Sequence, residues 1–116
     1  MKLLTKTLQK QLPPLYSQEE VEDPIVRAKF FNPCGAATWW ITEGSWQGEP
    51  ENGNPGEDYT MFGLCDLGMG FPELGYVSMN ELQAVKGPLG IGIERDLYWT
   101  PKSLSAVHER IAEARS

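Results

Sequence analysis

Hydrophobic residues recur every three or four positions near both ends of the chain and in more continuous runs between them. Leu4, Leu8 and Leu12 are spaced by four, which predicts a short amphipathic helix over residues 3–11 that two prolines end. Near the other end, Thr100-Pro101 is typical of a helix start. The apolar stripe of this last predicted helix consists of Leu104, Val107, Ile111 and Ala114.

Five segments between these helices are rich in β-branched and aromatic residues, which favours strands. They cover residues 25–31, 38–42, 59–67, 74–78 and 93–99. The first two flank the turn sequence Asn32-Pro33-Cys34-Gly35, so they are expected to form an antiparallel hairpin. A second glycine-rich turn, residues 68–72, separates the third and fourth segments.

A capping box, Ser78 with Glu81 three residues later, predicts a short helix that Gly87 would end. The connections between the predicted strands are too short for repeated parallel crossovers, so we expect an antiparallel sheet. The sequence therefore predicts an α+β fold. In it, a small antiparallel sheet of four or five strands carries the N-terminal and C-terminal helices, packed on one face.

Length and composition fit a single globular domain over residues 1–116, since 41% of the residues are hydrophobic and 22% are charged. An exposed acidic loop is expected at about residues 47–58, where glycines, prolines, asparagines and four acids leave no face to bury. No stretch approaches the roughly 20 apolar residues of a membrane span. Lys6 and Lys10 also interrupt any signal peptide, so a cytoplasmic location is expected.

Cofactor chemistry is not expected from the cysteine and histidine content. Cys34 and Cys65 are far apart and form no C-x-x-C pair, and His108 is the single histidine, so neither a disulfide nor a zinc site is predicted. His108 lies off the apolar stripe of the last helix, which favours a surface position. The acidic loop does not match the spacing of a calcium-binding loop.

Charge is distributed unevenly along the chain. Residues 30–85 contain eight acids and no lysine or arginine, so the whole net charge of −6 arises in this middle section. Lys2, Lys6 and Lys10 could share a helix face, but three lysines are fewer than a nucleic-acid-binding stripe needs. Direct binding to nucleic acid is therefore disfavoured.

Three tryptophans in the middle section have two interpretations. Adjacent Trp39 and Trp40 must point to opposite sides of a strand, so one of them needs cover beyond a single helical layer. Both could pack in the core, between a helix and the acidic loop. Alternatively, together with Trp46, they could bind a partner, since tryptophan is enriched among interface hot spots.

Two further motifs favour structural over chemical roles. The glycines at 87, 90 and 92 and at 63, 68 and 70 do not match the spacing of a phosphate-binding loop, so they indicate turns. Glu94, Arg95 and Asp96 could serve acid/base chemistry in a cleft. On a strand, however, Glu94 and Asp96 would share one face and Arg95 the other, as on a solvated surface.

Several ordered segments resemble the family known as domain of unknown function 2958. They are Met1-Lys2-Leu3-Leu4-Thr5, Leu12-Pro13-Pro14-Leu15-Tyr16, Asp23-Pro24-Ile25-Val26, Lys29-Phe30-Phe31, Trp39, Thr42-Glu43-Gly44, Leu74-Gly75-Tyr76, Gly87-Pro88-Leu89-Gly90 and Ile93-Glu94-Arg95-Asp96. The resemblance runs from Met1 to about Val107. It implies a small bacterial protein of plasmids, integrative elements and phages, often near genes for transfer or defence evasion, and it implies no catalytic residues.

These observations favour a non-enzymatic protein-interaction module that presents its acidic middle section to a basic protein surface. An inhibitor that occupies the nucleic-acid-binding surface of a host defence complex would fit this charge. The candidate partner-binding residues are Trp39, Trp40, Glu43, Trp46, Glu49, Glu51, Glu57, Asp58, Asp66 and Glu73. Glu81 is the remaining acidic residue of the middle section.

Two alternative functions stay open. One is a small enzyme or nucleotide-binding accessory factor that uses Glu94, Arg95 and Asp96 beside the glycine loop. The other is a DNA-transfer accessory protein whose basic first helix touches nucleic acid while its acidic section recruits a partner.

Overall fold

The structure is a computed structural model, and it describes residues 1–48 and 58–115. A 3-10 turn, Pro88–Gly90, precedes the sixth strand. In chain order the other elements are α1 (Lys6–Gln11), β1 (Ile25–Val26), β2 (Ala28–Phe31), β3 (Thr38–Gln47), β4 (Asp58–Asp66), β5 (Glu73–Ser78), α2 (Met79–Ala84), β6 (Glu94–Arg95), β7 (Lys102–Ser103) and α3 (Leu104–Arg115).

Five of the strands form an antiparallel sheet in the order β5-β4-β3-β2-β6, and β1 pairs with β7 in a small second sheet. The α+β class and the antiparallel sheet predicted from the sequence are confirmed. β2 and β3 form the expected hairpin, in which Lys29 pairs with Trp40. β3 and β4 pair from Thr38 and Asp66 to Gln47 and Asp58, which makes them the long centre of the sheet.

Buried side chains lie on both faces of this sheet. The larger cluster joins Leu8 of α1 and Leu82 of α2 to sheet residues such as Ile41 and Met61. The smaller cluster joins Val107 of α3 to sheet and strand residues on the opposite face; its buried members are Val26, Leu64 and Val107, with Trp40, Trp99, Leu104 and Ile111 packed against them. The expectation of one covered face is therefore too simple, because Trp40 and Ile41 are neighbours that belong to different clusters.

The predicted strand over residues 25–31 is divided at Arg27. Val26 belongs to the smaller cluster, whereas Ala28 and Phe30 belong to the larger one. In one straight strand these alternate residues would share a face. The chain therefore turns over at Arg27, which lets β1 pair with β7 while β2 pairs with β3 and β6.

Other boundaries differ from the predictions in ways that pairing explains. The strand predicted at 38–42 continues to Gln47, because β4 pairs with it along that length. The strand predicted at 93–99 is limited to Glu94–Arg95, which pair with Phe31 and Phe30 of β2. Residues 102–103, expected in the last helix, pair as β7 instead, so α3 begins at Leu104.

The Ser78 half of the predicted capping box is present, since the Ser78 hydroxyl accepts a hydrogen bond from the Glu81 amide at 3.2 Å. The helix ends with Val85 as its C-cap, two residues before the glycine predicted to end it. In the described part of the chain, no helix is long and apolar enough to cross a membrane.

Candidate interaction surface

The three predicted binding tryptophans are half-buried and packed on the protein's own clusters. Trp39 and Trp46 contact the larger cluster, and Trp40 contacts the smaller one. The indole Nε1 of Trp46 donates to the Gln9 side chain at 3.0 Å, and its ring meets Tyr59 edge to face. Much of each indole is therefore packed against the protein itself.

Glu43 is a buried structural carboxylate. It is 3% exposed, and its two oxygens accept hydrogen bonds from the Tyr16 and Gln18 amides, each at 3.1 Å. Beside it, the Ser45 hydroxyl accepts from the Leu15 amide at 2.9 Å. These contacts attach the turn after α1 to β3, so Glu43 does not contribute to an exposed acidic surface.

Asp58 and Asp66, at the two ends of β4, are also engaged within the molecule. Asp58 accepts hydrogen bonds from the Ser78 hydroxyl at 2.5 Å and the Asn80 amide at 3.0 Å, which joins β4 to the start of α2. Asp66 forms an ion pair with Arg115 of α3 at 2.8 Å. Both carboxylates thus hold one element against another.

Of the predicted acidic residues, Glu73 and Glu81 are exposed. Glu49, Glu51 and Glu57 lie outside the described residues, as does most of the predicted acidic loop. Within residues 1–48 and 58–115, no three His, Cys, Asp or Glu side chains are close enough to hold a metal ion. Cys34 and Cys65 are free thiols, and burial raises the pKa of the Cys65 thiol.

A group of exposed apolar side chains surrounds the β4–β5 turn, and the candidate residues predicted from the sequence do not include it. Met69 is 86% exposed and Phe71 is 84% exposed. These side chains line one shallow depression of about 420 Å³. We call this group the apolar patch; it consists of Leu67, Met69, Phe71, Leu74 and Tyr76.

The apolar patch continues onto the outer strand of the sheet. β5 pairs with β4 on one side, and no strand of the described chain pairs with its other side. Leu74 and Tyr76 alternate along β5, which places them on the same face. The Tyr76 ring packs edge to face on Phe62, with ring centroids 5.1 Å apart, and also meets Tyr16 at 6.4 Å.

Acidic groups lie close to this patch. Glu73 lines the same depression, and it is exposed. The pKa of the Tyr76 hydroxyl is raised, first by desolvation, then by its hydrogen bond with Tyr16 and by the charges of Tyr16, Glu19 and Glu43. Glu19 is an exposed residue of the turn after α1, so the patch has carboxylates at its margin.

The Glu94, Arg95 and Asp96 group is divided between two depressions. Arg95 and Asp96 line one beside α1, whereas Glu94 lines another beside Ile93. The strand alternation expected for these residues is not present, because β6 ends at Arg95. Asp96 lies in the following turn, where its side chain accepts a hydrogen bond from the Tyr98 amide at 2.9 Å.

Comparison with protein families gives one match that covers nearly the whole chain. The family model described as protein of unknown function (DUF2958) matches residues 3–116, which extends the resemblance noted in the sequence through α3. No curated protein and no solved structure matches the chain. The chain belongs to the family of proteins of unknown function DUF2958.

Proposed function

We propose that this protein is a non-enzymatic interaction module that binds a partner protein through the apolar patch and the open edge of β5. The observation that carries the proposal is the exposure of five large apolar side chains around one depression. Leaving such a group in water is unfavourable, and contiguous exposed apolar surface is typical of protein interaction sites.

The position of the patch beside an unpaired strand edge favours one mode of recognition. An extended partner segment can pair with the free edge of β5 and add a strand to the sheet. Its alternate side chains would then lie over Leu74 and Tyr76, which face the same side of β5. Backbone hydrogen bonds would provide affinity and the apolar patch would provide selectivity.

Charge supports a basic partner. Glu19 and Glu73 lie at the margin of the patch. Arg115 donates to the Gly70 carbonyl in the same turn, but its charge is paired with that of Asp66. A partner segment that combines apolar side chains with lysine or arginine would match this surface, and opposite charge would increase the association rate. A basic nucleic-acid-binding surface of a host defence complex is the partner class that we propose, with the protein acting as an inhibitor of it.

Polar substitution in the apolar patch should remove binding without loss of fold. The test variant is Met69→Ser with Phe71→Ser, and the matched control is Tyr98→Ser, since Tyr98 is 94% exposed but lies outside the patch. Parent, test variant and control are each used to capture proteins from a bacterial lysate. Association and dissociation rates are then measured with the recovered partner, and circular dichroism checks the fold.

We expect the test variant to bind at least tenfold more weakly than the parent, while the control is unchanged, because truncating one interface anchor costs about 1 to 2 kcal/mol or more. Recovery of the same proteins by parent and test variant, or of none by the parent, would contradict the interaction proposal. The inhibitor assignment fails separately if the recovered partner binds nucleic acid equally well with and without the protein.

A further inference from the structure

Two arginine residues line a pocket that lies apart from the apolar patch. The pocket has a volume of about 340 Å³ and lies where α1, the β1–β2 junction and the turn after β6 meet. Arg27 comes from that junction and Arg95 from β6. Besides these two, its polar lining consists of Thr5, Thr7, Gln11 and Asp96.

Arg95 is positioned by neutral partners. Its Nη1 donates to the Thr5 hydroxyl at 3.0 Å and to the Leu3 carbonyl at 3.5 Å. No carboxylate of the described chain forms an ion pair with it. The guanidinium is therefore oriented toward α1, and its charge is left without a counter-charge in contact.

Arg27 has a side-chain donor that lacks a hydrogen-bond partner. Its Nε is shielded from solvent and has no hydrogen-bond partner among the residues that the structure describes. A buried donor without an acceptor is unfavourable, and such groups are rare in folded proteins. Arg95 lines the same pocket, so two positively charged residues are brought to one site.

One acidic side chain is too few to neutralise the positive charges of Arg27 and Arg95. Among the residues that the structure describes, Asp96 is the acid that lines the pocket, and one of its oxygens already accepts a hydrogen bond from the Tyr98 amide. The two arginines therefore exceed the acid by one charge. An anion bound between them would compensate both the desolvation of Arg27 and the excess positive charge.

We propose that this pocket binds the phosphate group of a small molecule. Arginine presents planar donors that suit phosphate oxygens, and two arginines with the threonine hydroxyls suit a dianion. A volume of about 340 Å³ is near the lower end of the range for small-molecule pockets. The ligand is therefore free phosphate or a phosphate monoester of modest size.

The test measures thermal unfolding and titration calorimetry of the full chain with sodium phosphate and with glycerol 3-phosphate. Sodium chloride of matched ionic strength and sodium acetate are the control salts. The central variant is Arg27→Gln, and the matched control is Arg110→Gln, an exposed arginine that does not line this pocket. Arg95→Lys keeps the charge at the second position but changes the donor geometry.

We expect both phosphate compounds to raise the unfolding temperature of the parent and of Arg110→Gln more than sodium chloride and sodium acetate do, because a ligand that binds only the folded state stabilises it. Arg27→Gln should bind phosphate at least tenfold more weakly, although it should itself be no less stable than the parent without ligand. Arg95→Lys should bind with intermediate affinity.

Equal affinities for the two phosphate compounds would identify free phosphate as sufficient, and at least tenfold tighter binding of glycerol 3-phosphate would identify an ester. An equal phosphate effect in the parent and in Arg27→Gln would place the anion elsewhere and overturn the proposal. It would also be overturned if phosphate stabilised the parent no more than chloride and acetate do. Neither result depends on the apolar patch, so this proposal and the interaction function fail independently.

Discussion

Gly63 lies where the backbones of β3 and β4 approach each other closely. It pairs with Ile41 of β3 on one side and with Gly75 of β5 on the other. A Cβ atom at Gly63 would stand 2.0 Å from the Trp40 carbonyl oxygen and 2.8 Å from the Ile41 Cα. Immediately afterwards, the register of β3 and β4 shifts between Ile41 and Glu43. We therefore predict that Gly63→Ala is strongly destabilising.

The magnitude follows from the atoms that would have to move. Both are backbone atoms of β3, so no side-chain rotation relieves the contact and the two central strands must separate locally. Overpacking a well-packed core costs about 1 to 3 kcal/mol. Because backbone pairing is also disturbed, we expect a loss of about 3 kcal/mol, a large part of the roughly 5 to 15 kcal/mol that stabilises a domain.

Gly75→Ala is the matched control, since it makes the same chemical change on the cross-strand partner. A Cβ at Gly75 meets nothing within 4 Å. Alanine should therefore be tolerated there, and the reduced freedom of the unfolded chain should stabilise the fold by up to about 1 kcal/mol. The two substitutions should thus differ by roughly 3 to 4 kcal/mol in the free energy of unfolding.

Urea unfolding followed by tryptophan fluorescence and circular dichroism measures this difference. With a denaturant slope of about 2 kcal/mol per molar, Gly63→Ala should lower the unfolding midpoint by about 1.5 M. Gly75→Ala should leave it unchanged or raise it slightly. If Gly63→Ala is within about 0.5 kcal/mol of the parent, the close approach of the two backbones is not a constraint on this sheet.

Two further predictions concern carboxylates with internal partners. Glu43→Gln replaces one of the two carboxylate oxygens that accept from the Tyr16 and Gln18 amides, so the free energy of unfolding in urea should fall by about 1 to 3 kcal/mol. Glu43→Ala should lower it further. If neither variant changes the free energy of unfolding, Glu43 does not anchor the turn after α1. The pKa of Asp23 is lowered from its ordinary 3.8, first by the hydrogen bond from the Ser105 hydroxyl and next by that from the Ser105 amide. A carboxylate whose pKa is lower in the folded state stabilises the fold at pH values above its unfolded-state pKa, and this stabilisation is lost as the pH falls through the folded-state pKa. The stability advantage of the parent over Asp23→Asn should therefore be full at neutral pH and decrease below about pH 4. Unfolding midpoints of both proteins measured from about pH 2 to 7 check this, and a difference independent of pH would refute it.

Local signals in the sequence predict the local elements of this fold well. The spacing of Leu4, Leu8 and Leu12 gives α1, and all three leucines are buried. Ser78 caps α2 as the capping box requires, and the turn between residues 31 and 38 gives the β2–β3 hairpin. Each of these depends on residues within a few positions of one another, which is why a sequence pattern contains the information.

Features that depend on distant partners are not visible in such patterns. β1 separates from β2 because β7, more than 70 positions later, pairs with it. β3 continues through Glu43, an unusual residue for a buried strand position, because amides 25 and 27 positions earlier bind its carboxylate. The cover on the second face of the sheet likewise comes from α3, the last element of the chain.

The exposure of the apolar patch can be inferred from the sequence. Leu67, Met69 and Phe71 alternate with glycine. Leu67 ends a predicted strand, and Met69 and Phe71 lie in the predicted turn over residues 68–72. A turn exposes its side chains, so large apolar residues there cannot all be buried. The uneven charge favours acids as candidate binding residues instead, although a count of acids does not show which carboxylates reach the surface.

The positions of the acidic side chains in the structure change the expected role of charge in binding. Glu43, Asp58 and Asp66 have internal partners, so they contribute less to an external field than the net charge of −6 suggests. In the proposed interface, the exposed acids at the margin of the patch would be rim charges, which act mainly on the association rate and are screened beyond about 8 Å at physiological salt. The apolar side chains at the centre should set the dissociation rate, since burial of such anchors supplies most of the binding energy of an interface. Salt and patch substitutions should therefore separate kinetically, with salt slowing association and Phe71→Ser accelerating dissociation.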